Sequence, residues 1–268
     1  MNSADAEATV EFFDCDVLAG ITLRAEPSGY DAASLRTELD RCGIARALIY
    51  THALGPTAWE VQNRQTRQFA SGQSGFVPCS VLPQHGPVLG QSVLSAVEEL
   101  LEGGTRAFRL DSEIGPAAGP LTLGGFPDSD AIWRRLEERR APVFVPAAHL
   151  PAPDRRFGYG LDEVVQLCTR HPALPVVLLS PPYALERQLA HALSVAPNLH
   201  LSTTRLGLFG QLEAFVRAFG AGRLLFGSGL PFNDPAIPSG VVRYADLPVA
   251  DKRLIAAGNL DRLLSAHD

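Results

Sequence analysis

The chain has 268 residues and a mass of 28.7 kDa, with 46% hydrophobic and 19% charged residues. That is ordinary globular composition, which excludes a disordered chain and a small stapled module. Its 23 basic and 29 acidic residues sum to −6, which argues against a nucleic-acid partner, because neutralising phosphates needs a basic face.

Apolar runs alternate with helical patterns along the whole chain. The strand candidates are VEFFD (10–14), ARALIYT (45–51), GFVPCSVL (75–82), RAFRLD (106–111), APVFVPA (141–147), LPVVLLS (174–180), NLHLSTT (198–204) and RLLFGS (223–228). Most are continuously apolar, as expected of parallel strands covered on both faces. Helical periodicity falls between them, at about 30–42, 57–71, 90–102, 129–140, 160–171, 184–196, 208–220 and 250–265. Ser129 is placed to cap the fourth helix. Eight β/α units predict an α/β fold, a single (β/α)8 barrel in one domain over 1–268. An open doubly wound sheet is the second reading, weakened because no GxGxxG follows the first strand. The stretches 112–128, 147–159 and 229–240 read as irregular loops on the side where barrels place their sites.

No run of 18 apolar residues appears, so no membrane span is expected. The acidic N-terminus has neither the basic nor the apolar region of a signal peptide, which points to a cytoplasmic protein. The four cysteines are scattered without CxxC spacing and read as reduced; Cys79 and Cys168, in apolar stretches, read as core residues.

Strand-end residues of a barrel converge on one mouth. Asp14 and Asp16, two apart, share a side while the strand is extended and could serve acid/base work. Asp14 could equally cap backbone N–H groups, with Asp16 solvated. Arg109 and Arg205 are forks for a carboxylate or phosphate, or members of internal ion pairs. His52, His85 and His149 each lie just past a strand and together could bind a metal or move protons, although each also reads as a polar loop residue. His200, inside a strand, reads as a satisfied core histidine. The Gly/Pro-rich turn GSGLPFNDP (227–235) could present backbone N–H groups to an anion. No GxSxG elbow and no GxxxxGK[ST] loop is present.

RLLFGSGLPF (223–232) and ADLPVADKRLIAAGNLDRLL (245–264), with Asn259 in an N-x-x-R-L pattern, resemble the last strand and closing helices of the amidohydrolase-related barrel family. GIARALIY, LPVVLLS and NLHLSTT resemble its second, sixth and seventh strands. The resemblance implies the barrel fold, and hydrolysis or decarboxylation of small carboxylated substrates with a bound metal. This chain departs from the family where that metal would be held. In the family's D-x-H-x-H, Asp16 and Leu18 stand at the two histidine positions. Pro146 and Ser180 stand at the fifth- and sixth-strand histidines, and Gly229 at the aspartate of F-G-S-D-x-P. A divalent transition metal needs three or four well-placed ligands, so no metal or cofactor is expected.

Three functions follow. The first is a metal-independent hydrolase or decarboxylase-type enzyme, with Asp14, Asp16 and His149 catalytic and Arg109, Tyr183 and Arg205 binding a small-molecule carboxylate. The second is a non-catalytic barrel, either a small-molecule binder or a partner of an active relative, with homodimer and heteromer both open. The third is a metalloenzyme with a relocated histidine site. A mouth plugged by Tyr183 or Phe232 would favour the second.

Overall fold

The computed structural model describes residues 10–21, 29–52, 59–84, 92–110, 123–147 and 159–266. Eight parallel staves follow one another: β1 (Phe12–Ile21), β2 (Ile44–Thr51), β3 (Phe76–Pro78 continued by Ser80–Val81), β4 (Phe108–Arg109), β5 (Val143–Pro146), β6 (Val176–Leu179), β7 (Leu199–Ser202) and β8 (Leu224–Leu225). All eight expected strands form. A two-residue strand, Gly29–Tyr30, adds antiparallel pairing at the far end of β1.

Each stave pairs with the next. β3 changes partners at Cys79: Phe76–Pro78 pairs with β2, Cys79 N donates to Ile49 O at 2.8 Å, and Ser80–Val81 pairs with β4. Beyond Leu225 the chain runs beside β1 and closes the barrel. Cys15 N donates to Phe226 O (3.0 Å), Gly229 N to Asp16 O (3.0 Å) and Leu18 N to Leu230 O (2.9 Å), with a parallel bridge between Val17 and Leu230. Every edge is thereby used, which an open doubly wound sheet would not do.

Helices α1 (Ala32–Arg41), α2 (Trp59–Ala70), α3 (Val93–Glu102), α4 (Ser129–Glu138), α5 (Leu161–Arg170), α6 (Glu186–Val195) and α7 (Gln211–Phe219) lie between successive staves, as the periodicity predicts. Asp31 and Ser92 cap α1 and α3 with side-chain acceptors. Ser129 does not cap α4: it is the first helical residue, Asp128 holds the N-cap position, and the Ser129 hydroxyl donates instead to Gly124 O. The expected loop at 229–240 is also corrected. It runs into a helix, α8 (Ala236–Tyr244), whose internal Pro238 and Gly240 hid the periodicity.

The closing segment comprises α9 (Val249–Arg253), a π turn (Leu254–Gly258) and α10 (Asn259–Ser265). Within the π turn, Ile255 O accepts from Phe226 N at 2.8 Å, tying the helix to the end of β8. Asn259 Nδ2 donates to Ala221 O and Leu224 O, both at 2.8 Å. The asparagine of the N-x-x-R-L pattern thus satisfies two buried carbonyls at the entry to β8.

Two apolar layers result. Phe13, Cys15, Leu48, Cys79, Phe144, Val177 and Leu225 fill the barrel, and Leu260 and Leu263 of α10 pack onto that interior. Phe12, Val17, Ala47, Ile49, Phe108, Val143 and their neighbours face the helices. All four cysteines are free and buried. Among the described residues no helix is long and apolar enough to cross a membrane.

Candidate functional site

The site begins with an irregularity in β1. Asp14 pairs with Ala47 but Val17 with Ile49, so three residues of β1 advance against two of β2. Such a bulge breaks alternation. Cys15 lies in the interior cluster and Asp16, next in sequence, also reaches inward to Arg109, while Val17 belongs to the outer layer. The extended-strand expectation that pairs Asp14 with Asp16 therefore fails, because the extra residue resets the alternation between them.

The two carboxylates have different tasks. Asp14 is fully buried; its Oδ1 accepts from Asp16 N and from Ser228 N, each at 2.9 Å, and its Oδ2 has no partner. Desolvation raises its pKa from 3.8 to about 7, against the hydrogen bonds from Ser228 and Asp16 that pull it down, and the charge of Asp16 adds to the rise. Asp14 is the backbone cap that strand-end aspartates commonly form. Asp16 is not solvated as that reading supposed: it is 5% exposed, and its Oδ1 accepts from Arg109 Nη1 at 2.8 Å.

Arg109 comes from β4, whose ladder partner Phe144 faces the barrel interior. It is 8% exposed, and its guanidinium carbon stands 3.7 Å from the centroid of the Tyr50 ring. A planar cation held by a carboxylate and an aromatic face is an arrangement lysine could not reproduce. The internal ion-pair reading of Arg109 holds among the described residues, where its partner is Asp16; Asp111 and Glu113, which follow the same strand, lie outside the described residues. Tyr50, read from sequence as one more apolar strand residue, is the contributor that sequence reasoning missed. Its inward position, two beyond Leu48 on the same face, was the available signal.

A hydroxyl chain continues from Asp16. Ser180 Oγ donates to Asp16 Oδ2 (3.3 Å), Ser180 N donates to Ser202 Oγ (3.0 Å), and Ser202 Oγ lies 3.0 Å from Thr204 Oγ1. Ser180 has φ +48, a costly conformation for a residue with a Cβ. Side chains from β1, β4, β6 and β7 thus join in one buried network at the carboxyl ends of the strands.

The turn after β8 does not offer its N–H groups to an outside anion. Ser228 N serves Asp14 Oδ1, Gly229 N serves Asp16 O, and Leu230 N donates to the Ser228 hydroxyl at 3.1 Å. Its anion is an internal carboxylate.

The remaining sequence candidates are dispersed. Arg205 is exposed and lines a cleft beside α8 that Thr204 also borders. The backbone of Tyr183 opens a short 3-10 turn, and its side chain lies outside the described residues. His149 and His85 also lie outside them, so the described structure brings no three-histidine group together. His52 is half-buried, edge-on to Tyr50 at 5.9 Å between centroids. His200 is a core histidine as expected: its Nδ1 is 3.2 Å from Asn198 O, and burial, reinforced by Arg223 and Arg262, pushes its pKa down to about 4. Phe232 is 49% exposed and does not plug the mouth.

The metal implied by the resemblance does not fit the residues present. Leu18 is buried and apolar, and Pro146 has no donor side chain. Gly229 has φ +70, and a Cβ there would meet Asn233 Nδ2 at 2.5 Å and Thr204 Cγ2 at 2.6 Å. The space that an aspartate would need is filled. Asp16, the one carboxylate at these positions, already holds a guanidinium. Among the described residues no three His, Cys, Asp or Glu side chains are grouped to hold an ion.

The barrel has solved counterparts. An uncharacterised TIM-barrel protein from Bordetella bronchiseptica superposes with a TM-score of 0.73 at 16% identity, covering 96% of this chain and 99% of that one. The 5-carboxyvanillate decarboxylase of Sphingomonas paucimobilis gives 0.70 at 14% identity, with 96% and 99% coverage. A dihydroxybenzoic acid decarboxylase from a Polaromonas species, with bound manganese and the inhibitor 2-nitroresorcinol, gives 0.69 at 15%, with 96% and 98% coverage. At these identities the likeness is one of fold. No curated protein matches the chain. The amidohydrolase family model matches residues 24–265, nearly the whole barrel, and the chain belongs to the amidohydrolase family.

Proposed function

We propose that this barrel is a metal-independent enzyme of the hydrolase or decarboxylase type, acting on a small carboxylated molecule in the cytoplasm as one domain over 1–268. The observation that carries this reading is the buried Asp16–Arg109 pair at the strand ends, where the family places its metal. A guanidinium is a permanent cation that can hold a carboxylate or a developing oxyanion in place, though it cannot generate hydroxide as a metal can. Asp16 and Tyr50 orient it. Asp14, with its pKa near neutrality and an unpartnered Oδ2, is suited to one proton transfer, with His149 as the second acid/base candidate. Two relatives of similar fold are decarboxylases of aromatic carboxylates by name, which supports a carboxylated substrate.

A second reading, a non-catalytic binder or partner subunit, is favoured by how little of Asp16 and Arg109 reaches solvent. One assay separates the two. Chelator-treated protein is screened with 2,6-dihydroxybenzoate, 5-carboxyvanillate and aryl esters for carbon dioxide or acid release. Turnover that survives chelation and falls about 100-fold or more in kcat/KM in Arg109→Met supports the enzyme. The double variant Arg109→Met/Asp16→Asn controls for the instability of an unpaired buried carboxylate. Activity abolished by chelation and restored by manganese would refute metal independence, and no turnover of any substrate would favour the binder.

A further inference from the structure

Where β7 hands over to α7, the segment Thr203–Gly207 faces α8 across a cleft of about 350 Å³. That is at the lower end of the size of small-molecule sites. The wall from α8 is apolar, built from Ile237, Pro238 and Val241, and Leu206 adds to the apolar lining from the facing segment. The polar residues are Thr203, Thr204, Arg205 and Asn233. Arg205 carries the one formal charge among the nine described lining residues, with no acidic side chain among them.

Several of the chain's arginines are engaged by carboxylates. Arg36, Arg41, Arg46, Arg135 and Arg170 lie against carboxylates, and Arg109 is bonded to Asp16. Arg205 has no ion pair among the described residues and is exposed at the rim. In a protein of net charge −6, such a cation above an apolar wall is a local attractor for anions. Asn233 extends the polar end. Its amide donates to Ser228 O at 3.4 Å, in the space that a side chain at Gly229 would take. One guanidinium at the polar end suits a singly charged head, and the apolar wall suits a compact hydrocarbon body.

We infer that this cleft binds a monocarboxylate with an apolar body, its carboxylate on Arg205 and its ring or alkyl group against Ile237, Pro238 and Val241. The cleft adjoins the Asp16–Arg109 network, sharing Thr204 with it, but its cation is Arg205 and not Arg109. It stands on the geometry of the cleft and holds whether or not the barrel is catalytic.

The test is calorimetric titration of the full-length protein at low ionic strength with benzoate, benzamide and phenyl phosphate. Benzoate should bind at least about tenfold tighter than benzamide, the contribution of one charge-assisted contact. Arg205→Gln should weaken benzoate by about tenfold or more without moving the melting temperature, since the side chain is exposed. Ile237→Glu, which sets a like charge on the facing wall, should weaken it comparably. Absent benzoate binding, or binding equal to that of benzamide, would overturn the proposal. Benzoate binding unchanged in Arg205→Gln but lost in the Arg109→Met/Asp16→Asn variant would move the site to the mouth, leaving the proposed function standing and this inference refuted. Phenyl phosphate bound more than about tenfold tighter than benzoate would replace the carboxylate with a phosphate ester.

Discussion

Asp14 and His200 are both buried titratable groups, and they push stability in opposite directions. Asp14 keeps its proton up to about pH 7 in the folded protein and loses it near 3.8 when unfolded. Between those values the native state binds the extra proton, so its stabilisation is full below about pH 4 and is lost as pH rises through 7. His200 is the reverse: its folded pKa is about 4 against 6.5 unfolded, so its contribution is lost as pH falls from 6.5 towards 4. Each contributes a slope of about 1.4 kcal/mol per pH unit, and the two cancel over their shared window. Urea unfolding at stepped pH separates them. His200→Asn should lose stability steadily from pH 4.5 to 7, whereas Asp14→Asn should gain it from 4.5 to 6.5. An Asp14→Asn profile parallel to the parent's would show that the Asp14 pKa is not raised in the folded state.

At the scale of elements, α4 ends in a motif that invites improvement. Arg140 has φ +49, its N–H bonds to Glu137 O at 2.9 Å, and Ala141 N bonds to Leu136 O at 2.9 Å. This is the Schellman pattern, with buried Leu136 and Ala141 supplying its apolar contact. Glycine is the residue suited to that left-handed position, and the exposed Arg140 forms no described ion pair that would be lost. Arg140→Gly should therefore stabilise by about 1 kcal/mol and raise the melting temperature by about 2–4 °C. A melting temperature that falls would mean that the arginine makes an attractive contact outweighing its backbone strain. The elements themselves were legible in advance, because continuous apolar runs and 3.6-residue periodicity are local properties. The exceptions had local causes too. Pro238 and Gly240 masked α8, and the β1 bulge left no composition signal around Asp14 and Asp16.

The whole molecule depends on how the barrel is closed. The last stave meets β1 through backbone pairing, and α10 caps the interior with Leu260 and Leu263. Leu260→Ala should cost about 2–5 kcal/mol in urea unfolding, because it opens a cavity against that interior. Leu208→Ala, at a half-exposed position, should stay within about 0.5 kcal/mol. Equal effects from both would mean that α10 does not plug the barrel.

The sequence by itself determined the β/α rhythm, the barrel class and the identities of Leu18, Pro146 and Gly229, where the resemblance places metal donors, since these are residue identities and periods readable along one dimension. It also placed Asp16, Arg109 and Ser180 at strand ends. Tertiary structure decided which of them meet. The bulge turns Asp16 towards Arg109, β2 carries Tyr50 beneath the guanidinium, the turn after β8 gives its Ser228 amide to Asp14, and α8 leaves Arg205 facing an apolar wall. Each of these is a contact between segments far apart in the chain, set by register and by packing volume, and neither quantity is carried by the local order of residues.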